Sequence, residues 1–368
     1  MTENFEMLKR VFKLNGEIIE SNQINNGIIN QTYDVKINNN GKEERYIFQC
    51  INLYVFKNPI QIMENIERIT AHIAKRLDRE GKSRDGVMHF LHQENGANYY
   101  IIGDEFWRIS EYVPNSVTFN SCENLEHLRS AGKAFGEFQM MLSDFDASQL
   151  FETIPNFHNT RHRISTFFQH VEEDSMGRVC EIEPELEKIR KYRPLAERLN
   201  ELVDLGALPL RVTHNDTKIN NVLFDKDTET AKTVIDLDTV MPGLVAHDFG
   251  DAIRSAASTK GEDENNNLIA RIDLVRFRAF AEGFILAVAK SLTRAEIETL
   301  ALGAFTMAFE LSVRFFDDYI TGDKYFTPQY EGHNLARART QLMLAEDINK
   351  NMLELNAIVE EIYANSIK

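Results

Sequence analysis

RVTHNDTKINNVLFDKDTETAKTVIDLDTVMPGLVAHDFGD, residues 211–251, is the stretch from which the rest of the chain can be placed. It opens on an apolar, strand-like run and passes through His214, Asp216 and Asn221 at the spacing H-x-D-x-x-x-x-N. NNVLFD and KTVIDLD are β-rich runs joined by the polar DKDTETA, the pattern of a hairpin that returns Asp236 to the side of Asn221. An Asp at the mouth of a tight loop can take a proton from a hydroxyl. A neutral amide oxygen and a carboxylate on adjacent rungs suit a hard cation. These are the groups that phosphoryl transfer needs, because the charge on the transferred group must be neutralised and the accepting hydroxyl held in line. Asp216 is therefore expected as the base, and Asn221 and Asp236 as metal ligands.

The wording HNDTKINN (214–221) resembles the aminoglycoside phosphotransferase and choline kinase superfamily, and with IDLDTVMPG and HDFGDAIR it resembles the N-acetylhexosamine 1-kinase branch. The likeness runs nearly end to end. NNGIINQTYDV (Asn25 to Val35) resembles that branch's phosphate loop, YIFQCINLYVF its following strand, IPNFHNT a mid-chain block, and the segment Glu310 to Leu342 its C-terminal helices. The resemblance implies an α+β, two-lobed, protein-kinase-like fold, with a small β-rich lobe over residues 1–112 and a larger, mostly helical lobe over 113–368. It implies ATP and Mg2+ as cofactors. It also implies that His214, Asp248 and Asp251 support the catalytic loop by hydrogen bonds, and that Arg314 and Tyr325 meet a sugar.

Asp248, Phe249 and Gly250 spell D-F-G, the mark of a metal-binding Asp in protein kinases. Spacing argues otherwise here. Asp236 follows the Asn221 hairpin directly, whereas Asp248 comes a dozen residues later, beyond the Pro242-Gly243 turn signal. The strand expected to carry a phosphate-binding lysine reads RYIFQCIN and has Gln49 in its place. Phosphate charge must then fall on metal and loop amides, with Lys57 as a substitute cation or a solvated surface lysine. Glu64 and Glu67 lie on an expected helix from Ile60 to Leu77 without an obvious cation to meet. Around Asn26, Gly27 and Ile28 a single glycine flanked by asparagines reads alone as a hairpin turn; ahead of this strand and loop it becomes a source of backbone amides for phosphate.

The chain has 368 residues and a net charge of -16, which favours two lobes and disfavours nucleic acid and anionic membranes as partners. The longest apolar stretch, Ala279 to Ala289, is too short to span a bilayer. The N-terminal segment has no apolar signal core, and three dispersed cysteines build neither a disulfide framework nor a metal knuckle, so a reducing cytoplasm is expected. TYDVKI, RYIFQCI, NYYIIG and FWRISEYV read as strands, and after Pro114 the spacing of Leu125, Leu128, Ala131, Phe135, Phe138 and Leu142 is helical. Thr293 with Glu296 forms a capping box before the helix with Phe305 and Phe309, and a long helix runs from His333 onward. Glu111, Tyr112 and Val113 then fall where a kinase-like chain offers backbone groups to adenine, or are an ordinary strand end.

For the acceptor, Arg314 stands in an apolar helix, where it either pairs with Asp317 or Asp318 or faces a cleft. His333, Asn334 and His158 are weaker candidates. The expected activity is phosphorylation of the anomeric hydroxyl of an N-acetylhexosamine. Related kinases of another sugar, choline or an aminoglycoside are the alternative, as is a nucleotide-binding regulator without catalysis, motivated by Gln49.

Overall fold

Period-two alternation builds the first sheet. In the computed structural model, which describes every residue except 1, 25–28, 85, 120–123 and 264–268, strands β1 (Glu17–Ile24), β2 (Gln31–Asn39), β3 (Lys42–Ile51), β4 (Tyr100–Ile102) and β5 (Glu105–Glu111) form one antiparallel sheet in the order β1-β2-β3-β5-β4. Tyr33, Val35, Ile37, Phe48, Trp107 and Ile109 share one face, and helix α1 (Thr2–Val11) covers it. Phe5 of α1 stands edge-on to Tyr33, Phe48 and Trp107 at ring-centroid distances of 5.1, 5.4 and 5.8 Å, an orientation the ring quadrupoles favour. The other face carries Gln49 opposite Arg108 and looks towards Met63 of helix α2 (Pro59–Arg79). Neither α1 nor β1 was expected from the sequence; β1 is a mostly exposed edge strand whose EIIESNQI lacks a sustained apolar alternation.

Helices dominate the rest. α3 (Leu125–Met141), α4 (Thr160–Glu173), α5 (Glu183–Ala196), α6 (Arg198–Asp204), α7 (Val245–Ala256), α8 (Leu274–Val288), α9 (Arg294–Glu298), α10 (Leu300–Thr321), α11 (His333–Lys350) and α12 (Met352–Ser366) enclose a large apolar core. Two small sheets interrupt them: β6 (Ser116–Val117) with the hairpin β8 (Val222–Asp225) and β9 (Ala231–Val234), and β7 (Arg211–Thr213) with β10 (Met241–Gly243). The buried side of α2, from Ile62 to Leu77, joins the core of these helices and not the cluster beneath α1. The sheet is thereby anchored to the helices through α2.

Two helix boundaries differ from expectation. The Thr293–Glu296 capping box forms, but on the short α9, and Phe305 and Phe309 lie on the separate α10. The C-terminal helix breaks at Asn351, whose side-chain amide donates to the Asp347 carbonyl at 2.8 Å, a local bond that competes with helix continuation. Where α7 crosses α10, Gly250 lies against Gly303; a Cβ at Gly250 would collide with the Gly303 carbonyl. Among the described residues no helix is long and apolar enough to cross a membrane.

Candidate active site

β7 delivers the chain into a loop that β10, paired alongside it from Met241 to Gly243, holds in place. Asn215 takes a left-handed backbone conformation (φ 64°), which asparagine tolerates, and its side-chain amide donates to the Thr239 carbonyl at 2.9 Å. His214 is buried between Phe135 and Phe138. Its Nε2 donates to the Ile235 carbonyl at 2.8 Å, and its Nδ1 accepts the Asp216 N–H at 3.3 Å. The expected hairpin forms: Val222 pairs with Val234, and the Ile235 N–H donates to the Asn221 carbonyl at 2.9 Å, so Asn221 and Asp236 come to adjacent positions.

Asp216 is gripped from two sides. The Asn221 side-chain amide donates to its Oδ2 at 3.0 Å and to its carbonyl at 2.8 Å, while Lys218 Nζ lies 3.0 Å from Oδ1. Burial works to raise the Asp216 pKa, but Lys218 and the Asn221 amide outweigh it and hold the group below the usual carboxylate range, as an anion. The loop backbone is clamped from α7. Asp248 accepts the N–H groups of His214 and Asn215 at 2.9 and 2.7 Å and the Gln139 amide at 2.5 Å. Asp251 accepts the Thr217 N–H at 3.0 Å and pairs with Arg254 at 2.7 Å. The D-F-G letters are thus part of a helix: Asp248 faces the loop, Phe249 the core, and Gly250 the α10 crossing.

Asp236 also adopts a left-handed conformation (φ 60°), at the start of the turn Leu237–Thr239. Surrounding protein and then the Asp238 and Asp216 carboxylates push its pKa upward, opposed by Arg108 and Lys218. Asp236 is exposed to water, so repulsion between carboxylates, more than burial, carries the shift. The donor set fits a divalent cation such as Mg2+. Asn221 uses its NH2 on Asp216, which turns its amide oxygen the other way, and Asp236 supplies a carboxylate whose charge is not fully compensated.

Lys57 takes its solvated surface reading: it is exposed and lies over the Tyr54 ring at 4.7 Å. Glu64 pairs with Arg68 at 3.0 Å, and Glu67 with His92 at 2.9 Å. Opposite Gln49 the sequence reading missed Arg108, a charged residue in the middle of the apolar strand EFWRISE, which donates to Gln49 at 3.0 Å and pairs with Asp238. It also missed Lys218, although a lysine two residues after the candidate base was in plain view.

Asn26, Gly27 and Ile28 lie outside the described residues. At the end of β5, two of the three N–H groups in Glu111, Tyr112 and Val113 have internal partners: Glu111 donates to the His89 carbonyl at 3.0 Å and Tyr112 to the Arg45 carbonyl at 3.3 Å. The Val113 carbonyl accepts Ser116 Oγ–H at 2.6 Å, and the Tyr112 ring lies 3.7 Å beneath the Arg45 guanidinium. A cavity of about 1090 Å³ opens behind the hairpin, lined by Ile73, Phe138, Val234 and Leu237 among others; Asp216, Asn221 and Asp236 do not line it, so it is not where these groups converge.

On α10, the intrahelical ion pair weighed for Arg314 does not form. Asp317 pairs with His170 at 2.6 Å, and Asp318 accepts the N–H groups of Lys324, Tyr325 and Phe326 at 2.8 to 2.9 Å. Among the described residues Arg314 has no carboxylate partner; it lies over Phe157, Tyr325 and Phe326 at 5.4, 5.8 and 5.4 Å. Burial and then Arg314 lower the pKa of Arg163, a second guanidinium that donates to the Phe157 carbonyl at 3.2 Å. One helical turn before Arg314, the buried Glu310 accepts from Thr160 at 2.6 Å and lies 2.9 Å from His158 Nδ1, and His158 Nε2 meets the Asn215 carbonyl at 3.1 Å. His158 and Glu310 therefore tie α10 to the loop that carries Asp216. Glu310, a lone carboxylate in an apolar helix, was another signal missed. Asn334 is consumed in holding Asp318, Asp323 and the Phe326 carbonyl, and His333 accepts the Gln329 N–H at 3.1 Å.

Residues 20–280 match the family model described as the phosphotransferase enzyme family. Among solved structures, the chain is similar to an aminoglycoside phosphotransferase from Alicyclobacillus acidocaldarius, at 14% identity over 94% of this chain and 93% of that one, with a TM-score of 0.61. A microcompartment-associated aminopropanol kinase matches at 12% identity over 97% and 99%, with a TM-score of 0.60. A spectinomycin phosphotransferase in complex with ADP and spectinomycin matches at 12% identity over 99% and 98%, with a TM-score of 0.55. At such identities the likeness is one of fold: an α+β, protein-kinase-like arrangement of a sheet region followed by helices.

Proposed function

Because the chain belongs to the phosphotransferase enzyme family, we propose that it transfers the terminal phosphoryl group of ATP to the anomeric hydroxyl of an N-acetylhexosamine, giving the sugar 1-phosphate. The observation that carries the reading is Asp216: an anionic carboxylate fixed by Asn221 and Lys218 on a clamped loop, beside an Asn221–Asp236 pair fit for Mg2+. In this reading residues 1–112 hold the nucleotide and residues 113–368 carry catalysis and the acceptor. Bound Mg2+ neutralises phosphate charge. Asp216 orients the acceptor hydroxyl and takes its proton, and Asn221 and Asp236 hold the metal. Asp248, Asp251 and His214 keep the loop from moving, which matters because small misplacements of the base are costly. At the end of β5, the Glu111 carbonyl and the Val113 N–H meet the adenine.

The charge around Arg314 favours a neutral acceptor over an amino alcohol or an aminoglycoside. Two neighbouring guanidiniums, Arg314 and Arg163, repel an ammonium group, while arginine offers planar donors to hydroxyl and acetamide oxygens and Tyr325 an aromatic surface to the ring. The test is a panel of acceptors with ATP and magnesium, read by ADP release. N-acetylhexosamines turn over, and their methyl glycosides, which have no free anomeric hydroxyl, do not. Turnover of the methyl glycoside at the parent rate refutes 1-phosphorylation, and turnover restricted to cationic acceptors refutes the sugar.

A further inference from the structure

We propose that Arg108, on β5, supplies the buried positive charge that a strand lysine supplies in other kinases, and that through its pair with Asp238 it positions the Asp236 turn against the sheet. The proposal rests on the kinase reading above and concerns how this chain does without a lysine at position 49.

Residues directly opposite in adjacent antiparallel strands put their side chains on the same face. Gln49 and Arg108 are such a pair. Arg108 Nε donates to Gln49 Oε1 at 3.0 Å, and the Gln49 amide donates onward to Thr32 Oγ1 at 3.1 Å. A lysine at 49 would set one cation against another; a glutamine there accepts from the guanidinium and fixes its plane. The cation has moved one strand over, and position 49 has become its support.

The partner of that cation has moved too. In the usual arrangement a helix glutamate holds the strand lysine. Here α2 presents Met63, whose Sδ lies 3.8 Å from Arg108 Nη1, while Glu64 and Glu67 are committed to Arg68 and His92. The carboxylate comes instead from Asp238, two residues beyond Asp236 in the same turn. Asp238 Oδ2 also accepts from Asn30 Nδ2 at 2.6 Å, and Asn30 Oδ1 accepts the Asn52 N–H at 3.0 Å. One hydrogen-bonded chain therefore joins β2, β3 and β5 to the turn that carries the candidate metal ligand. Arg108 is 2% exposed and Asp238 1%. A buried ion pair is a poor source of stability compared with apolar side chains of similar volume, so its value here lies in placing charge and in coupling the sheet to the turn.

The test uses the full-length protein and three measurements: the Kd of Mg·ADP by calorimetry, Tm, and steady-state constants. Arg108→Met is expected to weaken Mg·ADP by about tenfold or more, because the turn that carries Asp236 loses its tie to the sheet, and Asp238→Asn is expected to do the same. Gln49→Lys on the Arg108→Met background restores most of the lost affinity, because a lysine at 49 then has the vacated space and Asp238 within its reach. Arg108→Met with Asp238→Leu recovers Tm but not Mg·ADP affinity. The proposal is overturned if Arg108→Met binds Mg·ADP like the parent, if Gln49→Lys gives no rescue, or if the apolar pair restores affinity together with Tm, which would make the ion pair merely structural. A parent protein that binds no Mg·ADP overturns the kinase reading itself and this inference with it, whereas a parent that binds while Arg108→Met is silent overturns only the inference.

Discussion

Asp248→Ala separates a loop clamp from a metal ligand. The Asp248 carboxylate is 2% exposed and accepts from the His214 N–H, the Asn215 N–H and the Gln139 amide. Truncation leaves all three donors buried without a partner, at roughly 1–3 kcal/mol each. Part of that is offset, because burial pushes the Asp248 pKa up and the native anion is already disfavoured there. A net loss of about 3 kcal/mol is expected. Unfolding entropy of roughly 2.1 cal/mol/K per residue gives about 0.8 kcal/mol/K for the chain, so Tm falls by about 4 °C. Turnover falls with it, since the loop that presents Asp216 loosens, but Mg·ADP affinity measured by calorimetry below the transition stays within a few-fold of the parent. Asp236→Ala gives the reverse pattern: Tm holds or rises as a repelled carboxylate is removed, and metal-supported nucleotide binding is lost. Intact Mg·ADP binding in Asp236→Ala together with its loss in Asp248→Ala would refute the assignment of ligand and clamp.

Arg314→Ala should raise the acceptor KM and leave the nucleotide KM near its parent value, because it removes binding common to the ground and transition states; a change in nucleotide KM alone would count against an acceptor role. Asp236 has a native pKa above its unfolded value, so the native state keeps a proton that the unfolded chain gives up, and stability falls as pH rises through that window. In EDTA, the Tm of Asp236→Asn should lie close to the parent near pH 4, exceed it increasingly up to about pH 7 and by a steady margin above that, and a difference that does not change between pH 4 and 7 would refute the repulsion. Gly250→Ala should lower Tm and turnover together, since the α7 helix that carries Asp248 and Asp251 is displaced at its crossing with α10 by overpacking worth about 1–3 kcal/mol or more. Unaltered Tm would show that the crossing has room.

The hairpin of β8 and β9 was legible because its signal is local: two β-rich runs around a polar turn, with Asn221 and Asp236 at the two ends. The strands β2, β3 and β5 were legible from alternation, and the helices from their apolar spacing. What the sequence hid depends on contacts between distant segments. Arg108 reads as an oddity in an apolar strand until β3 is laid beside β5 and the Asp236–Asp238 turn beneath it. The fate of Arg314 turned on competitors in other elements, His170 for Asp317 and the backbone of residues 324–326 for Asp318. The letters D-F-G were ambiguous by pattern; in the structure they lie in α7, with Asp248 accepting the N–H groups of His214 and Asn215. α1 escaped notice because ten residues with an apolar stripe of Phe5, Leu8 and Phe12 acquire meaning only against a sheet face.

The central claim is that Asp216 is the base of a sugar-directed phosphotransferase. The most direct measurement is ADP release on adding an N-acetylhexosamine to enzyme with ATP and magnesium, compared between the parent and Asp216→Asn with Mg·ADP affinity measured on both. The account predicts acceptor-dependent release by the parent and a fall of about 10^2-fold or more in the variant, with Mg·ADP bound equally by the two. Acceptor-dependent release by Asp216→Asn within a factor of a few of the parent would contradict it.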